Sequence, residues 1–551
     1  MKSAALAFAL SLAALPALAQ DGPISAQRLS DMTRELASEP YAGRGPGGPG
    51  EQRTIDFIVA QFKALGLRPA GDDGGWTQAV PLWRFQTEGP GTFSLSAGGR
   101  ARPLQLQRDL RIETQRPVAR VAIRAAPLVF VGYGVTAPER GWDDFKGVDL
   151  KGKIALILIN DPDFEAAPGD PVAGRFGGRA ATYYARWTYK YEEAVRRGAL
   201  GALIVHETAG AAYGWNTVVA ANGESYDVVR QDPARDRLLL QGWIQRDLAV
   251  GLFRDAGLDF EAEKARAKTA GFRPVVLKGA SFSADYRNRF ERLQSRNVIA
   301  ALPGAKRPDE TILYAAHWDA YGIGPPDASG ATIRPGALDD AVGVAGVIEV
   351  ARAFKAAPPP ERTILFAAWT AEERGLLGSE YYAQKHEPAL SRMVANFTFD
   401  VLQTAGPARD VVLIGAGQNS LEADLARAAA RHGRTVTPDP KPERALFYRA
   451  DHFSLAKRGV PVLLLMGLGG GPDLIEGGRA AGDRWVDDYT ARCYHQTCDR
   501  WDASQDYRPA AADVALAYEA GRELANSDRW PDWSATSEFG PIRERSAAAR
   551  R

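Results

Sequence analysis

From about residue 297, strand-like runs alternate with helix-like runs, and several of the strand-like runs end close to a side chain that can bind a metal ion. Residues 311–316 lead directly into His317-Trp318-Asp319, and residues 363–369 end shortly before Glu372-Glu373. This alternation predicts an α/β fold with a mostly parallel sheet covered by helices on both faces. Ligands bind at the carboxyl ends of the strands in such sheets, so these side chains are candidates for a functional site.

Three further side chains fit the same pattern. Asp339 lies just before a predicted helix over residues 342–355, Asp400 follows the apolar residues 397–399, and His495 stands between Tyr494 and Gln496. Imidazole and carboxylate groups together are the ligands that zinc takes in hydrolytic sites. If these distant groups converge at one edge of the sheet, the sequence predicts two zinc ions and a hydrolytic reaction.

Several of these residues also have an ordinary structural explanation. Asp339 can cap the helix that follows it, and the adjacent acids Glu372-Glu373 can simply begin a solvated helix. Asp400 lies in an apolar stretch, where burial of its charge is costly unless a cation or an arginine pairs with it. Among the other histidines, His452 is assigned a structural role.

The chain begins with the pattern of a secretory signal peptide. Lys2 is followed by the apolar residues 4–18, and Ala17-Leu18-Ala19 forms a small-x-small cleavage site, so residues 1–19 are predicted to be removed. The alternative is an uncleaved anchor helix, although the run is short for a span of roughly 20 residues. The mature protein is expected to be periplasmic or secreted, without a membrane span.

The 551 residues exceed one ordinary domain, and the formal net charge of +1 gives no electrostatic reason to expect nucleic acid as a partner. Short β-rich runs punctuated by glycine indicate a second, inserted unit. In the mature chain, residues 20–125 are expected to form an N-terminal part of the catalytic domain and residues 126–285 a β-rich insertion. Residues 286–533 are expected to form the catalytic domain itself, and residues 534–551 a disordered polar tail.

The two cysteines of the chain, Cys493 and Cys498, flank His495. In an oxidising compartment they can form a disulfide that holds the histidine-bearing loop in place. The alternative is that one or both cysteines bind metal. The disulfide is preferred because hard carboxylate ligands dominate the proposed site.

In combination these motifs resemble the co-catalytic zinc exopeptidase family, which contains secreted bacterial leucyl aminopeptidases, glutamate carboxypeptidases and the transferrin receptor. The resemblance covers most of the mature chain and is carried by four segments: residues 336–340, residues 371–379, Asp451-His452 and Tyr494-His495-Gln496. Residues 129–134, 151–153 and 198–202 resemble the protease-associated domain that many members of the family carry as an insertion.

The resemblance implies two zinc ions, a metal-bridging hydroxide and a role for each residue. The implied ligands are Asp339 as the bridge, His317 and Asp400 on one ion, and Glu373 and His495 on the other. Glu372 would be the general base, Asp319 would support the site, and Tyr448 or a neighbour would stabilise the oxyanion.

An exported di-zinc aminopeptidase acting on peptides is therefore the expected function. A carboxypeptidase or dipeptidase on the same scaffold is the main alternative. A substrate carboxylate needs Arg or Lys in the pocket, and the sequence does not show where Arg449, Lys457 or Arg458 point. A non-catalytic, receptor-like binding protein and a one-zinc cyclase are further alternatives, and the oligomeric state is not predicted.

Overall fold

The computed structural model describes residues 23–220 and 223–550. The predicted signal peptide, residues 1–19, lies outside these residues. No helix among the described residues is long and apolar enough to cross a membrane.

The strands of the described residues are β1 (Arg68–Pro69), β2 (Thr77–Ala97), β3 (Arg100–Leu104), β4 (Leu110–Glu113), β5 (Arg120–Phe130), β6 (Thr136–Ala137), β7 (Trp142–Asp143), β8 (Ile154–Leu158), β9 (Gly201–His206), β10 (Glu224–Val228), β11 (Leu240–Gln245), β12 (Val275–Leu302), β13 (Arg307–His317), β14 (Gly322–Ile323), β15 (Ile333–Arg334), β16 (Arg362–Trp369), β17 (Met393–Asp400), β18 (Asp410–Leu413), β19 (Thr435–Pro438) and β20 (Val462–Met466).

The α-helices are α1 (Ala26–Leu36), α2 (Glu51–Ala64), α3 (Trp187–Arg196), α4 (Thr208–Ala211), α5 (Trp215–Val219), α6 (Pro233–Asp236), α7 (Arg246–Asp255), α8 (Phe260–Ala267), α9 (Val342–Ala356), α10 (Leu377–Lys385), α11 (Glu387–Leu390), α12 (Leu421–Arg431), α13 (His452–Ala456), α14 (Gly478–Arg492), α15 (Arg508–Ala525) and α16 (Gly540–Arg545).

The central sheet is mixed, and the part of it beside the site is parallel, as the alternation of strands and helices predicts. Its main path runs β20-β17-β13-β16-β12-β5-β8-β9-β11-β4. Strands β20, β17, β13 and β16 are parallel, whereas β12 is antiparallel to both β16 and β5. Parallel strands end at the same edge of a sheet, so β13, β16 and β17 deliver the residues that follow them to one place.

Helix α9 covers this half of the sheet and is buried along almost its whole length. It packs against β13, β16 and β17 and against α1 and α15, so most of its residues are apolar. The segment 357–360, Ala-Pro-Pro-Pro, follows its last turn and cannot continue a helix. The residues that precede α9 lie beside the carboxyl ends of the parallel strands, where Asp339 reaches His317 at the end of β13.

Two large apolar cores lie towards opposite ends of the long strand β12, which contributes residues 277–286 to one core and residues 298–300 to the other. The first contains residues 24–67 and 298–539, and the second contains residues 93–286. Residues 93–123 thus pack in the second core, whereas the sequence assigned them to the catalytic domain. The identification of the second unit as a protease-associated domain stays a prediction.

The end of the chain differs from the expected disordered tail. Phe539 is buried, α16 follows it, and Nη1 of the buried Arg543 donates a hydrogen bond to the Met393 carbonyl, 3.0 Å away. The prediction of disorder over residues 534–551 was wrong for the described part because a few apolar anchors, including Trp533, outweigh the polar average.

Arg44 is a fully buried cation that joins the N-terminal segment to the loops at the site. Its guanidinium donates four hydrogen bonds, of 2.6 to 2.9 Å, to the carbonyl oxygens of Leu36, Trp318, Pro335 and Gly336. Burial lowers the pKa of Arg44, while the carboxylates of the site, Asp499 foremost, act in the opposite direction. Arg44 therefore fixes the chain on both sides of the centre described below.

Replacing Arg44 with Met should destabilise the protein by about 3–5 kcal/mol, because four buried carbonyl groups would lose their donors and the nearby carboxylates a positive charge. Urea unfolding followed by circular dichroism would measure the loss. The matched variant Arg68→Met, at an exposed position in β1, should change stability by less than about 0.5 kcal/mol. Equal stability of the two variants would contradict this role.

Candidate metal centre

One group of possible ligands forms where β13 and β17 end. Nε2 of His317 lies 3.2 Å from Oδ1 of Asp339 and 4.0 Å from Oδ1 of Asp400. All three side chains are buried. His317 and Asp400 are the last residues of their strands, and Asp339 reaches them from the loop before α9.

A second group shares Asp339 with the first. Nε2 of His495 lies 3.1 Å from Oδ2 of Asp339 and 3.2 Å from Oε2 of Glu373. The two oxygens of Asp339 thus face two different imidazoles. In each group the possible ligand atoms lie within 4.8 Å of one another, which is close enough to surround a single cation.

The chemistry of these groups fits a divalent cation. His317 Nε2 and Asp339 Oδ2 are buried without a hydrogen bond among the described residues, although both lie near other polar atoms. Buried polar atoms normally have a hydrogen-bond partner, so the two atoms without one, His317 Nε2 in the first group and Asp339 Oδ2 facing the second, point to a missing ligand. Nitrogen and carboxylate oxygen donors together are typical of zinc.

Asp319 connects the first group to the Glu372-Glu373 loop. Its carboxylate accepts hydrogen bonds from the backbone N–H groups of Glu372 and Glu373, at 3.0 and 3.4 Å. Its carbonyl oxygen lies 3.0 Å from His317 Nδ1, and this acceptor requires the proton on Nδ1. Nε2 is therefore left free to ligate, which is the arrangement that supports a metal-bound histidine.

Asp340 and Asp499 hold the loop that carries Asp339. Asp499 accepts hydrogen bonds from the backbone N–H groups of Leu338 and Asp339, at 3.0 and 3.1 Å. Asp340 accepts hydrogen bonds from the N–H of Gly343, at 3.0 Å, and from that of His317, at 3.3 Å. Asp340 therefore serves the helix start, and Asp339 is left to face the two imidazoles.

Burial and mutual repulsion raise the pKa of several carboxyl groups here. Burial is the main cause for Glu372, whose pKa is well above its usual range, with a further contribution from Asp400 and Asp451. The pKa of Asp400 rises to about 7 for the same two reasons. Bound cations would reverse this effect by stabilising the charged forms.

Cys493 and Cys498 form a disulfide, as preferred from the sequence. The bridge closes the short loop that contains His495, whose φ of 63° lies in the left-handed region that non-glycine residues rarely adopt. The imidazole also lies between the rings of Tyr321 and Tyr494, with centroid distances of 4.4 and 3.6 Å. A covalent link and two aromatic contacts thus fix this side chain.

Tyr448 lies away from the centre. Its hydroxyl donates a hydrogen bond to Glu538, 3.2 Å away, and its ring stacks on Tyr183. Arg449 and Tyr494, by contrast, interact electrostatically with Asp400. His452 is fully buried, and its ring packs against that of Phe447 with centroids 4.9 Å apart. Its structural role stays a prediction, as does the alternative that it lines the pocket.

Sequence reasoning missed Asp499, Arg44 and Tyr494 as parts of this environment. The proximity of Asp499 and Tyr494 to His495 in the sequence was the available signal. Gly43-Arg44 fits the N-terminal pattern of the co-catalytic zinc exopeptidase family, but the role of Arg44 was not visible, because three of its four contacts are made to backbone carbonyls far along the chain.

Curated relatives match parts of the chain. It is 40% identical over 105 residues to a "Probable zinc metalloprotease" of Pyrenophora teres f. teres, covering 19% of this chain and 22% of that one. It is 31% identical over 139 residues to "Aminopeptidase NAALADL1" of Mus musculus, covering 24% and 17%. It is 25% identical over 315 residues to "Glutamate carboxypeptidase 2 homolog" of Caenorhabditis elegans, covering 51% and 38%. The chain thus aligns with less than half the length of each of these relatives.

A solved aminopeptidase from Aneurinibacillus sp. strain AM-1 is 21% identical and covers 91% of this chain and 93% of its own, with a TM-score of 0.49. Residues 297–518 match the sequence model of "Peptidase family M28". The matched residues contain β13, α9, β16, β17 and all five clustered side chains. This match agrees with the resemblance of the motifs to the co-catalytic zinc exopeptidases.

Proposed function

We propose that the protein is an exported, zinc-dependent exopeptidase, and in the first instance an aminopeptidase, that hydrolyses peptide bonds at this centre. The observation that carries the proposal is the position of Asp339, whose two carboxylate oxygens lie 3.2 and 3.1 Å from the imidazoles of His317 and His495. A carboxylate placed in this way suits a bridge between two cations. The disulfide supports export, since such bonds persist in oxidising compartments.

Two zinc ions, when bound, would polarise the reacting carbonyl and make water a stronger acid. Asp339, which belongs to both ligand groups, would help to hold both ions. The remaining ligands are His317 and Asp400 for one ion, and Glu373 and His495 for the other. Asp319 positions His317 Nδ1 and the backbone of the Glu372-Glu373 loop.

Glu372 is the general base of the proposed reaction. It adjoins the ligand Glu373 but belongs to neither ligand group, so its carboxylate is available to take a proton from water and pass it to the leaving amine. Tyr494 is the hydroxyl best placed to stabilise the developing negative charge. Burial raises its pKa well above the usual range, so the phenol stays protonated and able to donate a hydrogen bond.

Glu372→Gln and Glu373→Gln form a matched pair that separates base from ligand. Glu372→Gln should lower kcat by about 10²- to 10⁴-fold and keep the zinc content, because only proton transfer is lost. Glu373→Gln should lower the zinc content as well. Steady-state kinetics with elemental analysis of both variants checks this, and near-normal turnover of Glu372→Gln would disprove the assignment.

Chelation tests the requirement for metal. Dialysis against 1,10-phenanthroline should abolish hydrolysis of a small peptide panel, and stoichiometric zinc should restore it. The reason is that the chelator removes the zinc, and no protein side chain can replace it as a Lewis acid. Two zinc ions per active chain are expected. A single zinc ion without peptide hydrolysis would favour the one-zinc cyclase alternative, and hydrolysis without any metal would reject the proposal.

The disulfide should matter for zinc affinity at the His495 side. Replacing both Cys493 and Cys498 with Ala should weaken binding of one zinc by about 10- to 100-fold, because the supports of a ligand affect its affinity to that extent. Competition with a zinc-binding dye would measure it. Unchanged affinity for both ions would show that the aromatic contacts of His495 are sufficient without the bridge.

A further inference from the structure

Two arginine side chains close to the centre have no partner. Among the residues that the structure describes, the guanidinium groups of Arg186 and Arg449 have neither a hydrogen bond nor an ion pair, and Nε of Arg186 is buried. The other two basic residues expected near the pocket are paired with Glu380, Lys457 at 3.3 Å and Arg458 at 2.8 Å. Arg186 and Arg449 thus differ from these neighbours, because no acidic side chain neutralises their charge.

The fold brings these two residues together from different units. Asp161 accepts hydrogen bonds from the backbone N–H and hydroxyl of Thr182, at 2.8 and 3.0 Å, and so anchors the 3-10 turn Tyr183–Ala185 that leads to Arg186. Tyr183 then stacks on Tyr448, with ring centroids 6.5 Å apart. Arg449 directly follows Tyr448, so this stack sets one arginine beside the other.

Electrostatic interactions connect Arg186 with Arg449, and Arg449 with the centre. Burial, followed by repulsion from Arg449, lowers the pKa of Arg186 to about 10. The charge of Arg449 acts on Asp400 and His495, which belong to the two ligand groups, and on Glu372. Two cations held close together without a counter-ion destabilise each other, and an anion between them would remove that cost.

We propose that Arg186 and Arg449 form a subsite for a carboxylate of the peptide substrate, so that the enzyme prefers peptides with a carboxylate near the scissile bond. Arginine suits this role because its planar guanidinium can donate two parallel hydrogen bonds to a carboxylate. This inference rests on the proposed peptidase function and narrows its substrate class. The carboxylate can be the C-terminus of a short peptide or an acidic side chain, and both are tested below.

Two pairs of substrates that differ in a single charge distinguish these sources. Ala-Leu and Ala-Leu-amide test the C-terminal carboxylate, and Glu-Leu-amide and Gln-Leu-amide test an acidic side chain. The wild-type zinc enzyme should favour the charged member of one pair by about tenfold or more in kcat/KM. A preference for Ala-Leu would assign a dipeptidase-like subsite, and one for Glu-Leu-amide an acidic side-chain subsite.

Removing either guanidinium should abolish that preference. Arg186→Met and Arg449→Met should lower kcat/KM for the favoured substrate by about 10- to 100-fold, mainly through KM, and change that for its neutral partner much less. Arg449→Lys should retain part of the preference because the charge remains. The exposed Arg254→Met, in α7 of the same unit as Arg186, should behave as wild type.

The outcomes separate this inference from the function on which it rests. Equal rates on charged and neutral members of both pairs, which needs no variant, would overturn the subsite. So would a uniform loss on all four substrates in zinc-loaded variants with unchanged Tm, because the arginines would then act on the reaction itself. Absence of hydrolysis of all four peptides by the zinc-loaded wild type would reject the peptidase function and the subsite with it.

Discussion

The concentration of buried carboxyl groups at one edge of the sheet is the constraint on which the rest of the site depends. Asp339, Asp400 and Glu372 approach one another there, and their burial without compensation would be costly. Arg44 supplies one fixed positive charge, but it is engaged with backbone carbonyls. The remaining negative charge favours cations, and two groups of possible ligands lie there.

Two of the loops that carry proposed ligands are held by a carboxylate that belongs to neither ligand group. Asp319 holds the backbone of the Glu372-Glu373 loop, and Asp499 holds the backbone of Asp339. Carboxylates at this site therefore have two roles: some are proposed metal ligands, and others accept hydrogen bonds from the backbone of the loops that carry those ligands. Such support matters because small displacements of ligands reduce metal affinity and catalysis.

The sequence predicted the parts that depend on local pattern. Apolar runs indicated β13, β16 and β17, and the polar residues after them indicated the candidate ligands. Both features can be recognised in the local sequence, without knowledge of contacts between distant residues. It could not show the environment of Arg186, whose place depends on an aromatic stack between units, or the contacts of Arg44. The tail was misjudged because its average polarity concealed its few anchoring side chains.

The 28-residue strand β12 has a mechanical consequence. It is hydrogen-bonded to β16 beside the centre and to β5 in the second unit, so a single backbone runs through both cores. A swinging motion of one unit against the other would have to bend this strand and break sheet hydrogen bonds. The part of the second unit that carries Arg186 should therefore keep a nearly constant distance from the proposed metal ligands.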